Sequence, residues 1–177
     1  MIWRLSHRAD PAAVAIADRH YNRQKPGTPQ FVPPGRCLVL LAPAALWVTS
    51  WPLGEYVKHR WPGAWICSCF RREADAQGFA SDTIREAVAA TRWRWPNTPP
   101  LGMVTFIDQS SLSPIMVRGR PTWGRTWLLA GFERDGETAG GLLAVRLPPE
   151  AMPEPAAPLG ASGDLFARDP QRAPGLQ

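Results

Sequence analysis

The stretch Ala64-Trp65-Ile66-Cys67-Ser68-Cys69-Phe70, followed by Gln77-Gly78-Phe79-Ala80-Ser81-Asp82, decides how the fold is read. The first segment has the length and apolar content of a central strand. It predicts Trp65, Cys67 and Cys69 on one face, with Ile66 and Phe70 on the other. The second segment is a Gly-x-Ala turn that opens a helix over residues 81–95, with Ser81 as its N-cap. Ile84, Ala87, Val88, Thr91 and Trp95 recur along that helix at the spacing of one buried stripe. Unpaired N–H groups and the helix dipole make such a turn suited to an anion.

Working outward from this unit, residues 2–5 read as a short first strand. Asp10-Pro11 is a helix start, with Asp as cap and Pro at the first helical position, and the helix is expected to end near Tyr21-Asn22. Pro26, Gly27, Pro29, Pro33, Pro34 and Gly35 exclude regular structure from residues 23–36, a loop long enough to suggest a functional role. Residues 37–41 and 45–51 are strands, and residues 55–61 are a short helix or turn. A further strand over residues 101–108 ends in the carboxylate of Asp108. Residues 109–123 read as a polar loop, and residues 125–130 as a short helix stopped by Gly131. Residues 132–147 form a last strand or hairpin, with Gly140-Gly141 marking a bulge. The order predicts an α/β (α+β) domain over residues 1–147, a mixed sheet with helices on both faces. Residues 148–177 hold seven of the twenty prolines and are expected to be a disordered Pro/Ala-rich tail.

The composition, 45% hydrophobic and 20% charged, is that of a globular protein. No apolar run approaches the ~20 residues a membrane span needs, and the longest, residues 38–46, is interrupted by Pro43. Met1-Ile2-Trp3-Arg4 shows no basic segment followed by an apolar one, so the expectation is a cytoplasmic protein without a membrane partner. Cys37, Cys67 and Cys69 make no disulfide framework and lack neighbouring ligands for a metal, so they are read as packed thiols. The net charge of +5 hides a more basic body: residues 148–177 carry −2, which leaves +7 on residues 1–147. Basic and aromatic side chains alternate in Arg92-Trp93-Arg94-Trp95, and adjoin in Arg60-Trp61 and Trp123-Gly124-Arg125. Such interleaving suits a phosphate backbone with stackable bases, although most tryptophans are core and most arginines are solvated surface.

The element order and two motifs resemble the GNAT N-acyltransferase fold. In that family a central strand leads into Arg/Gln-x-x-Gly-x-Gly/Ala, and Gly78 and Ala80 fall on the last two motif positions. A later helix reads Tyr-x-x-x-Gly-Phe, here Trp127-Leu128-Leu129-Ala130-Gly131-Phe132. The resemblance implies acetyl-CoA or another acyl-CoA as cofactor. It implies binding by Phe70, Arg71 and Arg72 at the strand end, by Gly78, Phe79, Ala80, Ser81 and Asp82 in the turn, and by Trp127. Two positions depart from the pattern. Asp75 stands in the Arg/Gln slot, with Arg71 or Arg72 as the replacement charge, and Trp127 stands where the family keeps a tyrosine proton donor. An indole N–H donates a hydrogen bond but gives up no proton at useful pH.

His20-Tyr21-Asn22-Arg23 lies where the first helix meets the Pro-rich loop. A His-Tyr pair there is similar to that of the Mom-type DNA-modification proteins of phages, which alter the exocyclic amine of adenine. That similarity implies DNA as the acceptor, with His20 or Asp108 as base and Tyr21 shaping the acceptor pocket. A structural histidine and a loop-capping Asp108 are the alternative readings of the same residues. At the level of the whole protein, two alternatives remain open. One is an acetyltransferase for a small-molecule or protein amine; the other is a non-catalytic GNAT-like nucleic-acid-binding module.

Overall fold

The computed structural model describes residues 1–161. Its frame is one seven-stranded sheet, ordered β1-β2-β3-β4-β5-β9-β8. The strands are β1 (Arg4–Ser6), β2 (Cys37–Ala42), β3 (Ala45–Ser50), β4 (Trp65–Arg72), β5 (Met103–Ile107), β8 (Glu133–Glu137) and β9 (Leu143–Leu147). A separate hairpin, β6 (Ile115–Val117) with β7 (Arg120–Thr122), occupies the stretch read from sequence as loop. All neighbours in the main sheet are antiparallel except β4 and β5. That parallel pair needs a crossover, which is helix α2 (Ala80–Arg94). The expectation of a mixed sheet with helices on both faces therefore holds.

Alternation along β2 and β3 shows how the sheet is covered. Val39, Leu41, Leu46 and Val48 pack with Ala13, Ile16 and Ala17 of α1 (Pro11–Ala17). Leu38, Leu40, Ala45 and Trp47 pack on the opposite face with Ile84, Ala87 and Val88 of α2. Asp10 caps α1 through its side chain and Pro11 opens it, as the sequence predicts. The helix stops at Ala17, earlier than expected, and tight turns carry the chain through Arg19, His20 and Arg23. His20, Tyr21 and Asn22 thus sit on a turn facing the sheet. Arg23 then fastens the Pro-rich loop, pairing with Asp18 at 2.7 Å and donating to the carbonyls of Thr28 and Gln30.

Several local expectations are corrected. Ser81 lies inside α2; Phe79 is the N-cap residue and no side chain caps the helix. Gly140-Gly141 form the β8–β9 turn, and the irregularity of that pair falls between Arg134 and Glu137. Cys67 and Cys69 do not share a face, because β4 carries an extra residue. Val48 pairs with Cys69 and Thr49 with Cys67, so Ser68 has no partner on β3. Past this bulge the alternation is reversed: Cys67 joins the α2 side, Cys69 the α1 side, and Phe70 packs toward α2.

The tail expected from Pro148 onward is packed over residues 148–161. Met152 is buried against the α2-side core. Arg92 holds the carbonyls of Met152 and Pro153, Ala156 N–H donates to Ala89 O, and Leu159 N–H donates to Trp3 O at 2.7 Å. The segment thus covers the exposed edge of β1. Residues 162–177 of the expected tail lie outside the described residues. Among the described residues no helix is long and apolar enough to cross a membrane. Met152→Ala should lower unfolding free energy by about 2–5 kcal/mol in a denaturant titration; an unchanged midpoint would show that residues 148–161 do not dock.

Candidate functional site

The site begins where β4 and β5 part. Their parallel pairing covers Trp65 with Met103, Ile66 with Val104 and Cys67 with Thr105, and then ends. Thr105 Oγ1 donates to Cys67 O at 3.0 Å, which closes the fork. Beyond it β5 stays paired to β9 while β4 follows β3, and the bulge at Ser68 steers β4 away. Crevices at the carboxyl ends of parallel strands are where open α/β sheets bind ligands. Here a cavity of ≈ 360 Å³ fills the fork. Ser68 to Arg72 of β4, Thr105 to Ile107 of β5, Gly124 to Trp127, and His20, Tyr21 and Asn22 line it.

Most sequence-predicted residues converge on this cavity. His20, Tyr21, Phe70, Arg71, Arg72, Ala80 and Trp127 all line it. Gly78, Phe79, Ser81 and Asp82 lie beside it, on the turn into α2 and its first turn, where Phe79 is 76% exposed. Gly78 adopts φ +78°, a left-handed conformation that favours glycine, and nothing crowds the space a Cβ would take. Asp108 is separate: it lines an adjoining hollow with Tyr21, Asn22 and Ser68.

The charged groups around the cavity are engaged by the protein itself to different degrees. Arg71 pairs with Glu73 at 3.3 Å and donates to Arg19 O at 2.6 Å, so much of its capacity is spent on the protein. Arg72 reaches the carbonyls of Ala76 and Gly78, fixing the turn ahead of α2. Its Nε is buried with no acceptor. Asp108 accepts from Ser110 N–H at 2.9 Å and from the hydroxyls of Ser110 and Ser111 at 2.6 Å. Those hydrogen bonds hold its carboxyl at about 2, leaving it a weak base that caps its own loop.

His20 is the group suited to proton transfer. Burial pushes its pKa below the ordinary histidine value, with Arg71 acting the same way and hydrogen bonds to Asn22 and the Phe70 backbone opposing. Asn22 Nδ2 donates to Ser68 O at 3.4 Å, which turns Oδ1 toward His20 Nδ1. Nδ1 also accepts from the Asn22 backbone N–H at 3.3 Å when Nε2 carries the proton, so either ring nitrogen can be the protonated one. Tyr21 stacks on His20 with ring centroids 4.6 Å apart. Burial raises its phenol pKa, opposed by a backbone hydrogen bond at Asp108, so the hydroxyl is neutral near pH 7.

Trp127 belongs to an aromatic cluster as much as to the cavity. It meets Trp47 at 5.9 Å, Phe70 at 5.6 Å and Phe132 at 5.0 Å between centroids. Its backbone carbonyl accepts from Phe132 N–H, and Gly131 takes φ +102° to allow that turn. The three cysteines are free, and burial raises the thiol pKa of each, that of Cys69 to about 12. Among the described residues no group of three His, Cys, Asp or Glu side chains could hold a metal ion.

Sequence reasoning gave no role to Asn22, Ser68 or Thr105. Asn22 and Ser68 also line a second cavity of ≈ 590 Å³ under the Pro-rich loop, so they form the partition between two hollows. The signal available was a serine inside an otherwise apolar strand. The chain matches no family model, no curated protein and no solved structure.

Because the folded chain disfavours charged His20, the unfolded chain binds that proton first as pH falls. The contribution of His20 to stability is therefore present above about 6.5 and lost as pH drops from there toward the lower folded-state value. An NMR titration of the His20 ring should give a midpoint below about 6.5; a midpoint above it would contradict this electrostatic account.

Proposed function

We propose that this chain is an acyl-CoA-dependent N-acyltransferase resembling the GNAT fold, and that its acceptor is an exocyclic amine of a DNA base, as in Mom-type proteins. The observation that carries the reading is the forked β4–β5 crevice, which runs from His20 to the uncapped start of α2. The fit of a coenzyme A thioester rests on features around that crevice. Helix α2 begins without a side-chain cap, leaving first-turn N–H groups for an anion. Arg72 lines the crevice with an Nε that lacks an acceptor, and Phe79 offers an exposed ring beside the turn. The ≈ 360 Å³ of the crevice is within the range of ligand pockets. Asp82, in the first turn, opposes a phosphate, so the anion would sit toward Gly78 and Arg72.

When bound, the thioester supplies an activated acyl group. His20, its ring neutral near pH 7, takes a proton from the attacking amine. Asn22 holds the ring in position by its hydrogen bond to Nδ1. Tyr21, 41% exposed, shapes the acceptor side. Trp127 gives no proton to the departing thiolate, which leaves as the anion or is protonated by water. The +7 charge of residues 1–147 favours a polyanionic acceptor.

The packing of Trp127 among Trp47, Phe70 and Phe132 favours a second reading, a nucleic-acid-binding module without catalysis. Mass analysis of nucleosides from DNA incubated with the protein and acyl-CoA donors separates the two. The proposal predicts a base heavier by one acyl group, with His20→Gln reducing its rate about 10²–10⁴-fold. No mass shift with any donor would sink the transferase reading.

A further inference from the structure

The β6–β7 hairpin stands apart from the main sheet. Its register pairs Ile115 with Thr122, Met116 with Pro121 and Val117 with Arg120. Arg118 and Gly119 form the two-residue turn, at φ +49° and +75°, the left-handed pair that suits a twisted hairpin. Trp123 Nε1 donates to Leu112 O at 2.9 Å and fastens the base of the hairpin. Leu112, Ile115 and Thr122 line the crevice.

Beyond that base the hairpin projects an unusual surface. Ile115 is 55% and Met116 63% exposed, and Arg118, Arg120 and Pro121 are exposed beside them. Residues 109–132 contain Arg118, Arg120 and Arg125 and no Asp or Glu. Neither Arg118 nor Arg120 forms an ion pair among the described residues. Two strands alone are marginal in water, and apolar side chains on such a ribbon add nothing to its stability while they face solvent.

We propose that this hairpin is a wedge for duplex DNA: Met116 and Pro121 enter the base stack, while Arg118 and Arg120 hold backbone phosphates. The inference rests on the reading of DNA as acceptor and assigns the element that makes a base accessible. A two-stranded ribbon fits a DNA groove. Methionine and proline are among the side chains that proteins insert between base steps to unstack them. A paired base cannot reach the crevice at the foot of the hairpin unless it is extruded. Met116 and Pro121 lie directly opposite each other, so they form one apolar edge just behind the basic tip.

The test uses duplex oligonucleotides carrying 2-aminopurine, whose emission rises on unstacking, with affinity read by anisotropy at several salt concentrations. The full chain should bind with a steep salt dependence and raise the emission. Met116→Ser with Pro121→Ser should keep affinity within about threefold and lose most of the emission rise. Arg118→Ala with Arg120→Ala should flatten the slope of log K against log salt by roughly 2. All four side chains are exposed, so circular dichroism should show both variants folded; if the serine variant is not, the arginine variant decides by its slope. Absence of duplex binding by the unsubstituted chain overturns the DNA reading itself. Binding in which the folded hairpin variants keep the original emission and slope overturns the wedge alone.

Discussion

The extra residue at Ser68 is the constraint from which the candidate site follows. An antiparallel pair in perfect register would have kept Cys67 and Cys69 on one face and held β4 beside β5. With Ser68 unpaired, β4 bends, its later side chains change face, and its parallel partner stops following it at Thr105. The crevice is the space left between two strands that remain well paired on their outer sides, β4 to β3 and β5 to β9. The Ser68 carbonyl also accepts from Asn22, which orients His20. One irregularity thus produces both a hollow and the placement of a histidine that lines it.

The electrostatics assign different work to residues that look equivalent in sequence. Asp108 and His20 both stand as candidate bases at the end of an element. Three hydrogen bonds from Ser110 and Ser111 stabilise the Asp108 carboxylate, whereas partial burial disfavours charged His20. Arg71 and Arg72 are neighbours, yet Glu73 pairs with the first while the second is turned onto the backbone carbonyls of Ala76 and Gly78. A charge in the sequence becomes available to a ligand only after the protein's own acceptors have been satisfied.

Much of the fold was legible because strong local signals agree with the tertiary arrangement. The apolar runs of β2, β3 and β4, Asp10-Pro11 and the stripe of α2 each point to the element found. The failures have local causes. Ser81 looks like a cap, but the helix starts one residue earlier, at Ala80 behind Phe79. The short β6–β7 hairpin hides in a polar stretch because its register depends on positive φ at Arg118 and Gly119. The proline-rich composition after Pro148 suggested disorder, yet Met152 and the carbonyls held by Arg92 dock residues 148–161. At the candidate site, residue types drew attention to His20 and Tyr21, which line the crevice, while Ser68 and Asn22 enter it through a register shift that spacing alone does not encode.

Hydrogen exchange of the backbone amides, measured with and without acetyl-CoA, shows whether the fork in the sheet is where a coenzyme A thioester binds. Binding there slows exchange at residues 68–72 and 78–82 alone, on the strand that leaves the fork and the turn that opens α2. Unchanged exchange, or protection only at segments remote from β4 and α2, would contradict it.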